Sequence, residues 1–153
     1  MPFLVASLLA LAVLLFGVFA SAQSCTVASS PVAFGAYDPF SGSALQTTGR
    51  VDVACTDQTP YTVKLDVGVY GGGTFATRKL KHLTIGSWLL YNLYRDAGRS
   101  EVWGDGTGGT YTVSGTGAGL GTPNQHTVYG RLPALQNGHV GQYTDTITVT
   151  VTY

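Results

Sequence analysis

At the C-terminal end of the chain every second residue is apolar. Ile147, Val149, Val151 and Tyr153 alternate with Thr148, Thr150 and Thr152, and Thr144 and Thr146 carry the hydroxylated series upstream. A period of two puts the apolar side chains on one face, which is the pattern of a half-buried β-strand. No later segment is there to pair with it, so one edge of a strongly β-prone strand is expected to need a partner from elsewhere.

The same alternation recurs along the chain. Val51, Val53 and Cys55 face one way and Asp52 and Ala54 the other. A turn-like Thr56-Asp57-Gln58-Thr59-Pro60 then leads into Tyr61, Val63, Leu65, Val67 and Val69, and the two runs read as a hairpin. Gly71-Gly72-Gly73 ends the pattern. Leu89, Tyr91 and Leu93 alternate with Trp88, Leu90 and Tyr94, so both faces are apolar and a central strand buried on both sides is expected. His126 to Leu132 is a further strand, and Pro133 to Gly141 a loop. Short strands separated by glycine-rich turns, with no convincing helix after the N-terminal segment, argue for an all-β fold of the sandwich type.

The N-terminal segment is of another kind. Phe3 to Ala20 is apolar and uncharged, and Ala20-Ser21-Ala22 is a small-x-small site at which a signal peptidase would cut before Gln23. Residues 1–22 are therefore expected to be a signal peptide and residues 23–153 the folded domain. The first basic residue is Arg50, which is unusual for a secretory leader, and an uncleaved anchor is the alternative because the run is just long enough to span a bilayer. No basic stop-transfer cluster follows, which favours cleavage and no membrane association afterwards.

Composition agrees with an exported β-protein. Charged residues make up 10% of the chain, with 8 basic against 8 acidic, so no electrostatic argument favours nucleic acid or an acidic membrane surface. Glycine numbers 21 and tyrosine 9, in a background of valine and threonine that prefers strands and turns. Two cysteines, Cys25 and Cys55, could be free buried thiols, but in an oxidising compartment a bridge between them would add about 3–4 kcal/mol by the loop-entropy argument.

Candidate chemistry is sparse. His82, His126 and His139 lie in different segments, Glu101 is the single glutamate, and no metal-binding or nucleophile motif occurs. Gly104, Gly106 and Gly109 formally match a dinucleotide-binding fingerprint, but no helix is written after them and glycine-rich turns explain the run. Asp96, Glu101 and Asp105 cluster around Trp103 without the alternation that a calcium loop requires. Arg78, Lys79, Lys81 and His82 could bind an anion but read as a solvated edge. No catalytic residue, cofactor or metal is expected. Trp103 and Asp105 mark a candidate surface-binding loop, since exposed aromatic faces pack against sugars and surfaces.

Seven short pieces, in order, carry a resemblance to a known family. They are Cys25-Thr26-Val27, the run from Val32 to Pro39 (VAFGAYDP), Gly49 to Thr56 (GRVDVACT), Leu90 to Asp96 (LYNLYRD), Trp103-Gly104-Asp105-Gly106, Thr127 to Leu132 (TVYGRL) and Gly141 to Thr146 (GQYTDT) with its terminal strand. Together they resemble the spore coat protein U domain family, which also contains subunits of archaic chaperone–usher pili. The resemblance implies an immunoglobulin-like β-sandwich that lacks its last strand. It implies further that a periplasmic chaperone and then a neighbouring pilus or coat subunit donates that strand, a form of β-augmentation, with an outer-membrane usher as the assembly platform.

On this resemblance Ile147, Val149 and Val151 would line the acceptor groove, and the Tyr153 carboxylate would be the group a chaperone anchors. The protein would pass through the periplasm to the cell surface. Cleavage before Gln23 would leave two residues ahead of Cys25, too few to donate a strand, so a terminal or tip-like place in an assembly is expected, with an adhesive tip domain binding a surface or glycan as the alternative function.

Overall fold

A computed structural model describes residues 22–70 and 72–153. All but one residue of the expected leader lie outside that range. Ten short strands and one 3-10 turn, Phe75–Thr77, form the described chain: β1 Cys25–Ser30, β2 Leu45–Cys55, β3 Pro60–Leu65, β4 Lys79–His82, β5 Trp88–Leu90, β6 Asn92–Tyr94, β7 Val113–Thr116, β8 Asn124–Leu132, β9 Tyr143–Thr144 and β10 Val149–Thr152. Among the described residues no helix is long and apolar enough to cross a membrane.

The strands make two layers. One is the antiparallel sheet β1-β2-β8-β6. The other is built of two smaller sheets, β10-β3-β7 and β5-β4-β9, which share the run 141–152 because β9 and β10 are its two ends. Backbone bonds from Asp66 N to Thr148 O and from Val69 N to Thr146 O continue the pairing of that run between the two. Val51, Val53, Val128, Leu132 and Leu93 from the first layer meet Tyr61, Val63, Leu65 and Leu89 from the second, all of them buried. The architecture is the expected immunoglobulin-like β-sandwich.

Cys25 and Cys55 are directly opposite in the β1–β2 register and are joined by a disulfide, which fixes the first strand to the end of the second. Trp103 fills the centre of the sandwich at 0% exposure, and its indole N–H donates to Val63 O at 3.2 Å. That bond satisfies the one polar atom the ring would otherwise bury unpaired.

Three expectations are corrected. The run 51–55 and the run 61–65 do not form a hairpin. Strand β2 pairs with β1 and β8, whereas β3 pairs with β10 and β7, so the connection crosses from one layer to the other. The segment 88–94 is not buried on both faces either: Leu89, Tyr91 and Leu93 are buried, but Trp88 and Leu90 are exposed. Its apolar face is continuous because the chain changes sheets at Tyr91, with β5 pairing β4 in one layer and β6 pairing β8 in the other. The third concerns Arg78 and His82, which are buried rather than part of a solvated edge. Arg78 places its guanidinium against Asp66 O, Trp103 O and Asn92 Oδ1, three acceptors that only a forked donor reaches at once.

Candidate functional site: an open cleft between the layers

The sandwich is not closed on one side. A cleft of about 910 Å³ runs between residues 29–37, which follow from β1, and residues 141–149 of the terminal run. Its floor is apolar core: Val51, Leu65, Leu89, Leu93, Val128 and Leu132. Both walls carry backbone that the fold leaves available. Strand β1 is paired on one side alone, to β2, and the ladder stops at Ser30, so Pro31 to Tyr37 continues without a sheet partner.

On the opposite wall the direction of the backbone follows from the pairing. Thr146 and Thr148 turn their carbonyls toward β3 and its extension, at 3.2 Å to Val69 N and 3.1 Å to Asp66 N. Successive residues of a strand point their polar groups to opposite sides, so Asp145, Ile147, Val149 and Val151 present theirs to the open side. The same residues are the half-buried ones of the run, with Thr144, Thr146, Thr148, Thr150 and Thr152 exposed. The alternation that marks the terminal strand in the sequence thus sets one apolar face toward the core and one unpaired edge toward the cleft.

Each wall is seated by local packing. Val32 and Phe34 turn inward onto β8 at Gly130, where an added Cβ would overlap Val32 Cγ1 and Phe34 Cζ. Phe34 also meets the edge of Tyr91 at a centroid distance of 6.0 Å. At the other end, His82 Nδ1 accepts from the Thr84 and Ile85 amides, and its Nε2 donates to Val140 O at 3.1 Å. Gly141, at φ 147°, passes so close to that ring that a side chain there would overlap it.

A polar pair, Tyr91 and Asp145, lines the cleft. The Tyr91 hydroxyl donates to Asp145 Oδ2 at 2.6 Å, while Asp145 Oδ1 accepts from the Val69 and Thr146 amides. Burial, reinforced by the hydrogen bond to Asp145, raises the Tyr91 pKa far above its ordinary value.

The residues singled out in the sequence fall as follows. Ile147 and Val149 line the cleft, and Val151 packs against the core beyond its end. Tyr153 is exposed past the last strand residue. Trp103, expected in a surface loop, is a correction: a fully buried indole touches no partner. Asp105 is exposed, and its Oδ1 is occupied by the Thr107 amide and hydroxyl in a tight turn, which holds the carboxyl below the usual range. Asp96 likewise caps the Ser100 and Glu101 amides, and Glu101 pairs with Arg95 at 2.7 Å. Asp96 and Glu101 stabilise the turn at 95–101 and Asp105 the next one, and among the described residues these carboxylates form no cluster that could hold a metal.

Sequence reasoning missed the other wall. Val32, Phe34 and Tyr37 lie within a run that carries the family resemblance, and the period-two pair Val32 and Phe34 is the signal in the sequence that marks this segment as a second boundary.

The comparisons agree with this geometry. Residues 11–150 match the family model described as the Spore Coat Protein U domain. A curated relative, "Protein U" of Myxococcus xanthus, is 36% identical over 132 residues, covering 78% of this chain and 70% of the relative. Among solved structures, the chain is similar in fold to one in the CsuC–CsuE chaperone–tip adhesion subunit pre-assembly complex from archaic chaperone–usher Csu pili of Acinetobacter baumannii. The TM-score is 0.61 at 21% identity, and the match covers 86% of this chain and 40% of the other, so this chain spans less than half of that one. On the extent of the family match and the identity to the curated relative, the chain belongs to the spore coat protein U domain family.

Proposed function

We propose that this protein is an exported structural subunit of a surface pilus or coat, and that its cleft accepts a β-strand donated first by a periplasmic chaperone and then by a neighbouring subunit. Residues 1–22 are its signal peptide, and an outer-membrane usher is the site of exchange. The observation that carries the reading is the pairing of an apolar floor with two walls of unpaired backbone. A strand laid between them would hydrogen-bond the outward groups of Asp145, Ile147, Val149 and Val151 and would bury alternate side chains on Leu65, Leu89 and Val128. Family membership and the fold of a chaperone-bound pilus subunit support it. The carboxylate of Tyr153, exposed beyond β10, is free to meet a basic side chain of a chaperone.

The test is the native mass of the chain recovered from the periplasm, alone and with its chaperone, followed by a urea melt of each form. A 1:1 complex, with the lone chain aggregating or melting at lower urea, is expected. A lone monomer that melts cooperatively and ignores the chaperone would show that the sandwich is complete without a donor.

A further inference from the structure

The outer face of the β4–β5 hairpin carries chemistry that strand acceptance does not use. In the β4–β5 register Lys79 is opposite Leu90 and Lys81 opposite Trp88, while Leu80 and Leu89 between them turn inward to the cleft. Trp88 is 42% exposed and Leu90 46%. The Tyr70 ring stands against Trp88 at 5.5 Å and 63°, making two walls of an aromatic corner. The Lys81 ammonium sits 5.3 Å from the Tyr70 centroid and 5.8 Å from that of Trp88. Ion pairs among the described residues join Arg50 to Asp52 and Arg95 to Glu101, so neither Lys79 nor Lys81 has a carboxylate partner. Thr144, opposite Lys81 on its other side, adds a hydroxyl.

From this corner we infer a second binding site, for an acidic saccharide, with a uronic-acid polymer as the ligand class. The C–H bonds of a pyranose ring carry partial positive charge and are drawn to the negative face of an indole or phenol. A carboxylate on that ring would meet the Lys81 ammonium, which is already beside both rings, with Lys79 two residues away along the same strand. Charge complementarity selects the acidic sugar: the corner offers two unpaired cations, and no carboxylate lies in contact with them. The site faces away from the cleft, so the inference stands independently of strand acceptance.

The two tryptophans make the test direct, because Trp103 is buried and Trp88 alone is open to a collisional quencher. The experiment titrates the full exported chain, with any partner it carries, with oligogalacturonate and follows acrylamide quenching, using neutral dextran and dextran sulfate as controls. Oligogalacturonate is expected to shield Trp88 from quenching, and dextran is not. Trp88→Ala, whose binding is read by titration calorimetry because the variant lacks the quenchable ring, and Lys81→Gln, read by quenching, are each expected to weaken binding about tenfold. Lys81→Gln keeps both tryptophans and reports even where Trp88→Ala perturbs the hairpin. Absence of shielding by oligogalacturonate, equal shielding by dextran, or binding of dextran sulfate that matches oligogalacturonate and is indifferent to Trp88→Ala would each overturn the assignment.

Discussion

Arg78 shows how much of this fold rests on single polar side chains. It is fully buried without a contacting anion, and burial lowers its pKa despite the opposing pull of Tyr91 and Asp66. What holds it is geometry: its fork donates to two main-chain carbonyls and to Asn92. Lysine has one short-reaching ammonium and cannot serve all three. Arg78→Lys is expected to lower unfolding stability by about 3 kcal/mol, read in a urea melt, because acceptors buried without partners cost more than the net worth of the bonds they lose. His126 gives a pH-dependent counterpart. Its Nε2 lies 2.8 Å from the Tyr61 hydroxyl and its ring edges onto Trp103, and burial lowers its pKa, with Asp52 opposing. A folded value below the unfolded one means that the unfolded chain protonates first. Stability is then full above the ordinary histidine value near 6.5 and falls as pH drops through the lower folded value. The urea midpoint should therefore decline between about pH 7 and pH 5, and His126→Gln, which keeps a partner for Tyr61, should flatten that decline; an unchanged slope in the variant would assign the titration elsewhere. The settings of Arg78 and Trp103 were not legible in the sequence. Arg78 sits among basic neighbours and Trp103 among glycines, the local signatures of exposed segments, and burial was imposed on both by strands distant along the chain.

At the scale of elements the sequence was far more readable. The period-two runs at 51–55, 61–65, 126–132 and 147–153 all mark strands or the approach to one, because one face of each packs on the core. Pairing was not readable, since the short turn between β2 and β3 is compatible with both a hairpin and a crossing, and only the register to β8 and β10 decides. The direction of each backbone group along the terminal run makes a sharp prediction. Thr148 uses its N–H on Asp66 Oδ1 within the fold, whereas the Ile147 N–H faces the open side. Proline removes a donor and is tolerated where that donor meets no ladder partner. Ile147→Pro is therefore expected to destabilise the lone chain no more than Ile147→Ala, which deletes the same core contacts but keeps the N–H, while weakening chaperone capture more than Ile147→Ala does. Thr148→Pro should instead destabilise the lone chain itself. Native mass and urea melts on the two variants separate these effects, and equal loss of fold in both would show that the run has no free edge.

For the molecule as a whole, the proposed strand acceptance requires that the native state bind extended apolar peptide and the unfolded state not. A ligand that binds only the folded form adds stability that grows with its concentration, about 2.7 kcal/mol at a hundred times its dissociation constant. A synthetic strand with apolar residues at alternate positions should accordingly raise the melting temperature of the chain in a concentration-dependent way. A peptide of the same composition with the alternation scrambled should not, because it cannot bury side chains on Leu65, Leu89 and Val128 while also bonding to Ile147 and Val149. The disulfide sharpens the experiment. Cys25–Cys55 pins β1 to β2 and so holds the start of one wall, while the opposite wall is held by β3 and β4. Reduction should lower the stability of the lone chain by about 3–4 kcal/mol. It should also shrink the gain from added peptide, since the wall from Ser29 to Tyr37 then has to be ordered as the strand binds. A peptide gain that is the same in oxidised and reduced protein would mean that binding depends on the terminal run alone, and that the segment after β1 is a bystander.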